Sequence, residues 1–165
     1  MAEVSMFEIC RMDGSAELAE VTARLLAELP TWFGIPEANA AYVEASGRLP
    51  GLVARVGAEP VGVLVLQQHF PESAEIHLMA VARSWHRRGV GRALVGAVES
   101  ALERDGCRLL QVKTLGASHP DRGYAGTRAF YRSVGFLPLE ERNDLWPGNP
   151  CLIMVKGLGR SDGGG

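Results

Sequence analysis

Residues 83–94 read RSWHRRGVGRAL. Arg87, Arg88 and Arg92 crowd around Gly89 and Gly91, just where an apolar helix is about to begin. A helix start carries about half a positive elementary charge, so acidic residues are its ordinary occupants. Three arginines have the wrong sign there unless an anion joins them. Glycine lets the backbone approach a ligand closely, and the first helical turn offers N–H groups that favour phosphate. Arginine adds charge-assisted donors. The stretch therefore reads as a loop for something carrying several phosphates.

The surrounding chain supplies the expected context. AEIHLMAVA reads as a strand ending near Val81. After it the apolar period changes from two to 3.6, with Val90, Leu94, Ala97, Val98, Ala101 and Leu102 on one stripe and Gly106 at the end. Upstream, Phe7 to Met12 reads as a first strand. Ser15 is placed to cap a helix carrying Leu18, Val21, Leu25 and Leu26, and Pro30 should stop it. A second short helix is expected from about Glu37. Leu52 to Val56, a Gly-Ala-Glu-Pro turn and VGVLVLQQHF read as an antiparallel hairpin. Downstream come the strand CRLLQVKT, a loop with Gly116, Pro120 and Gly123, the helix GTRAFYRSVGF ended by Gly135, a strand around Phe136 to Glu140, and the last strand CLIMVKGL. The strand–helix–strand unit in the middle should be a right-handed parallel crossover. The strands before it should be antiparallel, giving a mixed α/β sheet with helices on both faces.

Three phosphate-binding patterns compete for the loop. A P-loop needs GxxxxGK[ST], and no Lys-Ser or Lys-Thr follows these glycines. A dinucleotide fingerprint needs GxGxxG, and its third glycine position is Leu94. The third pattern is Q/R-x-x-G-x-G/A after a central strand. With it the sequence resembles the GNAT superfamily of acetyl-CoA-dependent N-acetyltransferases. AEIHLMAV is similar to that family's fourth strand, HRRGVGRAL to its acyl-CoA loop with His86 at the Q/R position, and RAFYRSVGF to the helix, tyrosine and Gly-Phe that precede its sixth strand. The resemblance covers residues 5 to 158 and implies one domain over 1–158. Its fold would be a central mixed sheet of six to seven strands flanked by about four helices. GRSDGGG, 159–165, is expected to be a flexible tail.

The resemblance also implies a chemistry. His86, Arg87, Arg88, Gly89, Val90, Gly91 and Arg92 would bind acetyl-CoA phosphates. The main chain of Met79, Ala80 and Val81 would bind the pantetheine arm, in the gap where the fourth and fifth strands splay. Glu75 aligns with a carboxylate that some members use as base. Beside apolar walls its pKa would rise towards neutrality. His77 shares its face of the strand and could assist or hold the acceptor. Tyr131 would protonate the leaving thiolate. Trp32, Phe33, Trp146 and His119 lie in expected loops and are candidates for an acceptor wall or for loop anchors. Lys113 is expected to keep its ammonium in water.

Composition sets the outer bounds. The chain has 165 residues, 47% hydrophobic and 22% charged, with net charge −2. That suits a globular protein with a real core and no global field for nucleic acid. A toxin that acetylates aminoacyl-tRNA would want a wide basic surface at the acceptor site, whereas the basic residues here gather at the loop. No segment approaches the roughly 18 apolar residues of a membrane span. MAEVSMFEIC lacks a signal-peptide pattern. Cys10, Cys107 and Cys151 are far apart and odd in number, which suits a reducing cytoplasm, and no spacing suggests a metal site. The expected function is acetyl transfer to a primary amine, either a small molecule or a peptide, by a possible homodimer. The rival is a non-catalytic acyl-CoA-binding module, which would need the loop but neither Glu75 nor Tyr131.

Overall fold

Ser15 does cap the first helix: its Oγ accepts from the amide of Leu18 at 3.2 Å, which satisfies one of the donors that a helix start leaves open. The structure is a computed structural model describing residues 6–159. The remainder of the expected tail and the first five residues lie outside the described residues.

Among these residues, in chain order, are β1 (Glu8–Met12), α1 (Ala16–Ala27), α2 (Pro36–Ser46), β2 (Gly51–Val56), β3 (Glu59–Phe70), β4 (Ser73–Val81), a 3-10 turn (Arg83–Trp85), α3 (Val90–Arg104), β5 (Leu109–Leu115), α4 (Arg122–Ser133), β6 (Leu137–Trp146) and β7 (Asn149–Gly157). The strands form one mixed sheet in the order β1-β2-β3-β4-β5-β7-β6. β4 and β5 are parallel, as the crossover through α3 requires. The β1/β2, β2/β3, β5/β7 and β6/β7 pairs are antiparallel.

The chain divides into two compact units. One runs up to Gln67 and takes in His77–Val98. Its core is Leu18, Leu25, Leu26, Val53, Val63, Val65, Val90 and Leu94, all essentially inaccessible. Gly62 matters there: a Cβ at this position would lie 2.8 Å from Val90 Cγ1 and 3.2 Å from Leu94 Cδ1. The missing side chain lets the start of α3 lie close over β3. α1 ends at Ala27, before Pro30, and its last turn tightens so that the Glu28 amide reaches Leu25 and Leu26.

The other unit holds Gln68–Ile76 and the described chain from Glu99 onward. Its interior includes Ile76, Leu102, Leu110, Val112, Phe136, Cys151 and Met154. Two expectations need correction here. Gly123 lies inside α4 and not in a loop, because Asp121 caps the helix, its carboxylate accepting from the amides of Gly123 at 2.8 Å and Tyr124 at 3.4 Å. β6 continues well past Glu140 to Trp146, which pairs with Asn149 at a strand end rather than in a loop. Gly148, with φ +72°, makes the turn between them.

Candidate functional site

The loop after β4 is built by two left-handed residues. Gly89 has φ +84°, and Arg87, the one such non-glycine residue among those described, has φ +62°. Left-handed residues in a turn are what shape main-chain N–H groups into anion-binding concavities. α3 then starts at Val90, which is buried, and its first turn presents amides without internal partners. Arg87, Arg88, Gly89 and Arg92 are exposed around it, and Gly91 is half-buried. The guanidinium of Arg88 lies 5.0 Å above the ring of Trp85, a cation–π arrangement, and Trp85 in turn meets the edge of Phe7.

His86 has a definite role in shaping this loop. Its Nε2 lies 2.7 Å from the carbonyl oxygen of Val81. A carbonyl can only accept, so Nε2 carries the hydrogen. The bond ties the loop back to the end of β4, where the Ala82 amide also donates to the Val61 carbonyl at 2.8 Å. Trp32 packs against the same imidazole, ring centroids 5.4 Å apart and nearly perpendicular. Met79 and Val81 lie on the half-open side of β4, and Ala80 on its buried side.

Aromatic residues line up in the same unit. Phe33 contacts Tyr42 at 6.1 Å between centroids, and Tyr42 contacts His77 at 5.5 Å. Asn39 Nδ2 donates to the Phe33 carbonyl at 2.8 Å, fastening the loop to α2. Of the expected acceptor residues, Trp32, Phe33 and His77 thus belong to one unit, and Tyr42 joins them. The sequence reading did not single out Tyr42; its only signal is an aromatic ring in an otherwise alanine-rich helix.

The second unit carries the carboxylate. Glu75 is buried, with 5% of its surface exposed. It stands opposite Gln111 in the parallel register, and Gln111 Nε2 donates to its Oε1 at 2.5 Å. Lys113, two residues further along β5, brings Nζ to 3.2 Å from the same oxygen. His69 Nε2 lies 3.9 Å from Oε2. The apolar walls expected around Glu75 are therefore replaced on this face by an amide, an ammonium and an imidazole, and Lys113 is not simply solvated. Strand alternation is the reason: Gln111 and Lys113 share one side of β5. Neither Gln111 nor His69 is distinguishable as a partner until the register is known. Burial pushes the Cys151 thiol up, with Glu75 adding to the effect and Lys113 opposing it.

Tyr131 is buried on α4, its ring 5.3 Å from Phe130 and 5.5 Å from Phe136 between centroids. α4 itself is held by Arg128, whose Nη1 donates to the Leu115 carbonyl at 2.7 Å. All three cysteines are free. Among the described residues, no group of three His, Cys, Asp or Glu side chains is arranged to hold a metal ion, and no helix is long and apolar enough to cross a membrane.

Residues 49–138 match the family model of the acetyltransferase (GNAT) domain. The fold is similar to that of a GNAT-family protein from Desulfovibrio desulfuricans, with TM-score 0.78 and 21% identity over 92% of this chain and 98% of that one. It is similar to the ribosomal-protein-S18-alanine N-acetyltransferase from Escherichia coli, with TM-score 0.72 and 19% identity over 94% and 96%. A GNAT family acetyltransferase from Elizabethkingia anophelis, solved with acetyl-CoA bound, gives TM-score 0.70 and 17% identity over 93% and 99%. No curated protein sequence matches the chain.

Proposed function

The chain belongs to the GNAT acetyltransferase family and is an acyltransferase, and from that premise we propose that it moves an acetyl group from acetyl-CoA to a primary amine by direct attack in a ternary complex. The observation that carries the reading is the left-handed turn at Arg87 and Gly89 with exposed arginines at the start of α3. A polyanion fits it, since the start of a helix is positive and offers free amides, and the arginines beside it add charge of the same sign.

On this reading the segment from His86 to Arg92 holds the phosphates, and the main chain of Met79, Ala80 and Val81 holds the pantetheine arm. Bound acetyl-CoA supplies an activated thioester. Glu75 takes a proton from the incoming ammonium, directly or through water, since an ammonium has no lone pair to attack with. Its hydrogen bond from Gln111 fixes the direction in which that carboxylate points. Tyr131 gives a proton to the departing sulfur. Trp32, Phe33 and His77 face the acceptor, a small-molecule or peptide amine. We read residues 1–158 as one catalytic domain, working in the cytoplasm, as three free cysteines favour.

Thermal unfolding with acetyl-CoA, CoA and NAD tests the cofactor assignment. A ligand at 100 times its dissociation constant adds about 2.7 kcal/mol, a rise of roughly 5 to 11 °C for a domain of this size. Both CoA forms should raise the midpoint and NAD should not. An amine screen follows, in which Glu75→Gln and Tyr131→Phe should each lose about 100-fold or more in turnover. Full turnover in both variants would remove those two roles.

A further inference from the structure

Of the 17 lysine and arginine residues in the chain, only Lys113 and Lys156 are lysine. For holding a carboxylate, arginine is the better residue, with a planar fork that binds both oxygens. What lysine alone offers is an amine that becomes a nucleophile once it gives up a proton. Lys113 has its Nζ 3.2 Å from Glu75 Oε1, with Glu75 buried and the lysine side chain 35% exposed. A primary amine paired with the base, on a side chain that is part-exposed, is the arrangement an acceptor needs. Lys156 differs: its Nζ is held by two partners, Glu99 at 2.7 Å and the Val134 carbonyl at 2.6 Å, and its side chain is less exposed.

We propose that Lys113 is an acetylation site of this enzyme, modified by the chain itself from acetyl-CoA. The inference rests on the reading of Glu75 as base. The Lys113 ammonium gives one proton to Glu75. Its nitrogen then attacks the thioester carbonyl: the N–C bond forms, the C–S bond breaks, and sulfur leaves with the pair of electrons. Tyr131 gives its proton to that thiolate and is restored by the second nitrogen proton, and Glu75 releases the first to solvent. The products are an N-acetyl-lysine, the CoA thiol and one proton, with nothing oxidised or reduced. The neutral amide no longer pairs with Glu75, so modification and acceptor turnover compete for the same carboxylate.

The test is mass spectrometry of the full chain incubated with acetyl-CoA and no added amine, with calorimetric binding of acetyl-CoA and the amine screen run in parallel. The expected result is one gain of about 42 Da, mapped to the peptide containing Lys113. Its rate should fall about 100-fold or more in Glu75→Gln, in a variant that still binds acetyl-CoA. Lys113→Arg should take up no acetyl group, and Lys156→Arg should be labelled like the parent. Equal labelling of Lys156 and Lys113, or an unchanged rate in Glu75→Gln, would mean chemical background and overturn the proposal. A chain that acetylates added amines while Lys113 stays unmodified overturns it and leaves the enzymatic reading intact. Failure to bind acetyl-CoA overturns both.

Discussion

The imidazole of His86 donates from Nε2 to the carbonyl oxygen of Val81 at 2.7 Å, closing the loop between β4 and α3 onto the strand that precedes it. The residue at the start of the phosphate-loop pattern therefore shapes the loop from within. His86→Ala should raise the KM for acetyl-CoA about fivefold, the equivalent of one hydrogen bond of about 1 kcal/mol, and should change kcat less. His86→Gln restores a side-chain donor and should recover most of the affinity. Steady-state kinetics at saturating amine separate the two parameters, and an unchanged KM in the alanine variant would deny the bond this function.

Arg87 adopts φ +62°, a conformation that costs an ordinary residue about 1–2 kcal/mol. Asparagine tolerates it and a β-branched residue does not. Arg87→Asn should leave the melting temperature near the parent value, and Arg87→Val should lower it by roughly 2 to 8 °C. Both variants remove the charge and should flatten the salt dependence of acetyl-CoA binding. Equal melting temperatures for the two would remove the strain argument.

Gly62→Ala tests how α3 is set. The added methyl meets Val90 Cγ1 at 2.8 Å, and Val90 is the first residue of the helix. Overpacking of this kind costs about 1–3 kcal/mol, so the midpoint should fall by roughly 2 to 12 °C. Acetyl-CoA affinity should fall with it, because the displaced element carries the loop. Differential scanning calorimetry and ligand titration together check both effects.

The thiols should separate by environment. Cys10 is half-exposed, and Cys107 and Cys151 are buried. At about pH 8, iodoacetamide should add once to the native chain, at Cys10, and three times after denaturation. Because burial raises the Cys151 thiol, the folded state keeps that proton longer than the unfolded chain does. The associated stabilisation is complete at neutral pH and is lost as pH rises through the folded value. The melting temperature should therefore drop as pH rises past the ordinary thiol range, with a shallower drop in Cys151→Ala. A steeper drop in that variant would contradict the assignment.

The local features were the legible ones. The stripe on α3, the β2/β3 hairpin and the glycines ending α3 and α4 are decided within a few residues, and Gly106 and Gly135 do adopt positive φ. Glu75 could be singled out, but its surroundings could not. Gln111 and Lys113 are 36 and 38 positions away, as the numbering shows, and only the parallel register of β4 with β5 brings them to it. The extent of β6 was hidden for another reason. LPLEERNDLW has no alternation, because both its faces are largely exposed.

That strand has a consequence for open-ended growth from the edge of the sheet. β6 ends the sheet and exposes Leu137, Leu139 and Leu145. Such an edge would invite further strands to add to it, copy after copy. Here Pro138 withholds an amide, the register shifts twice, and Glu140, Glu141, Arg142 and Asp144 charge the border. Each of these interrupts the ladder that templated growth requires. The outer strand can thus stay greasy and uncovered without becoming the seed of a fibril.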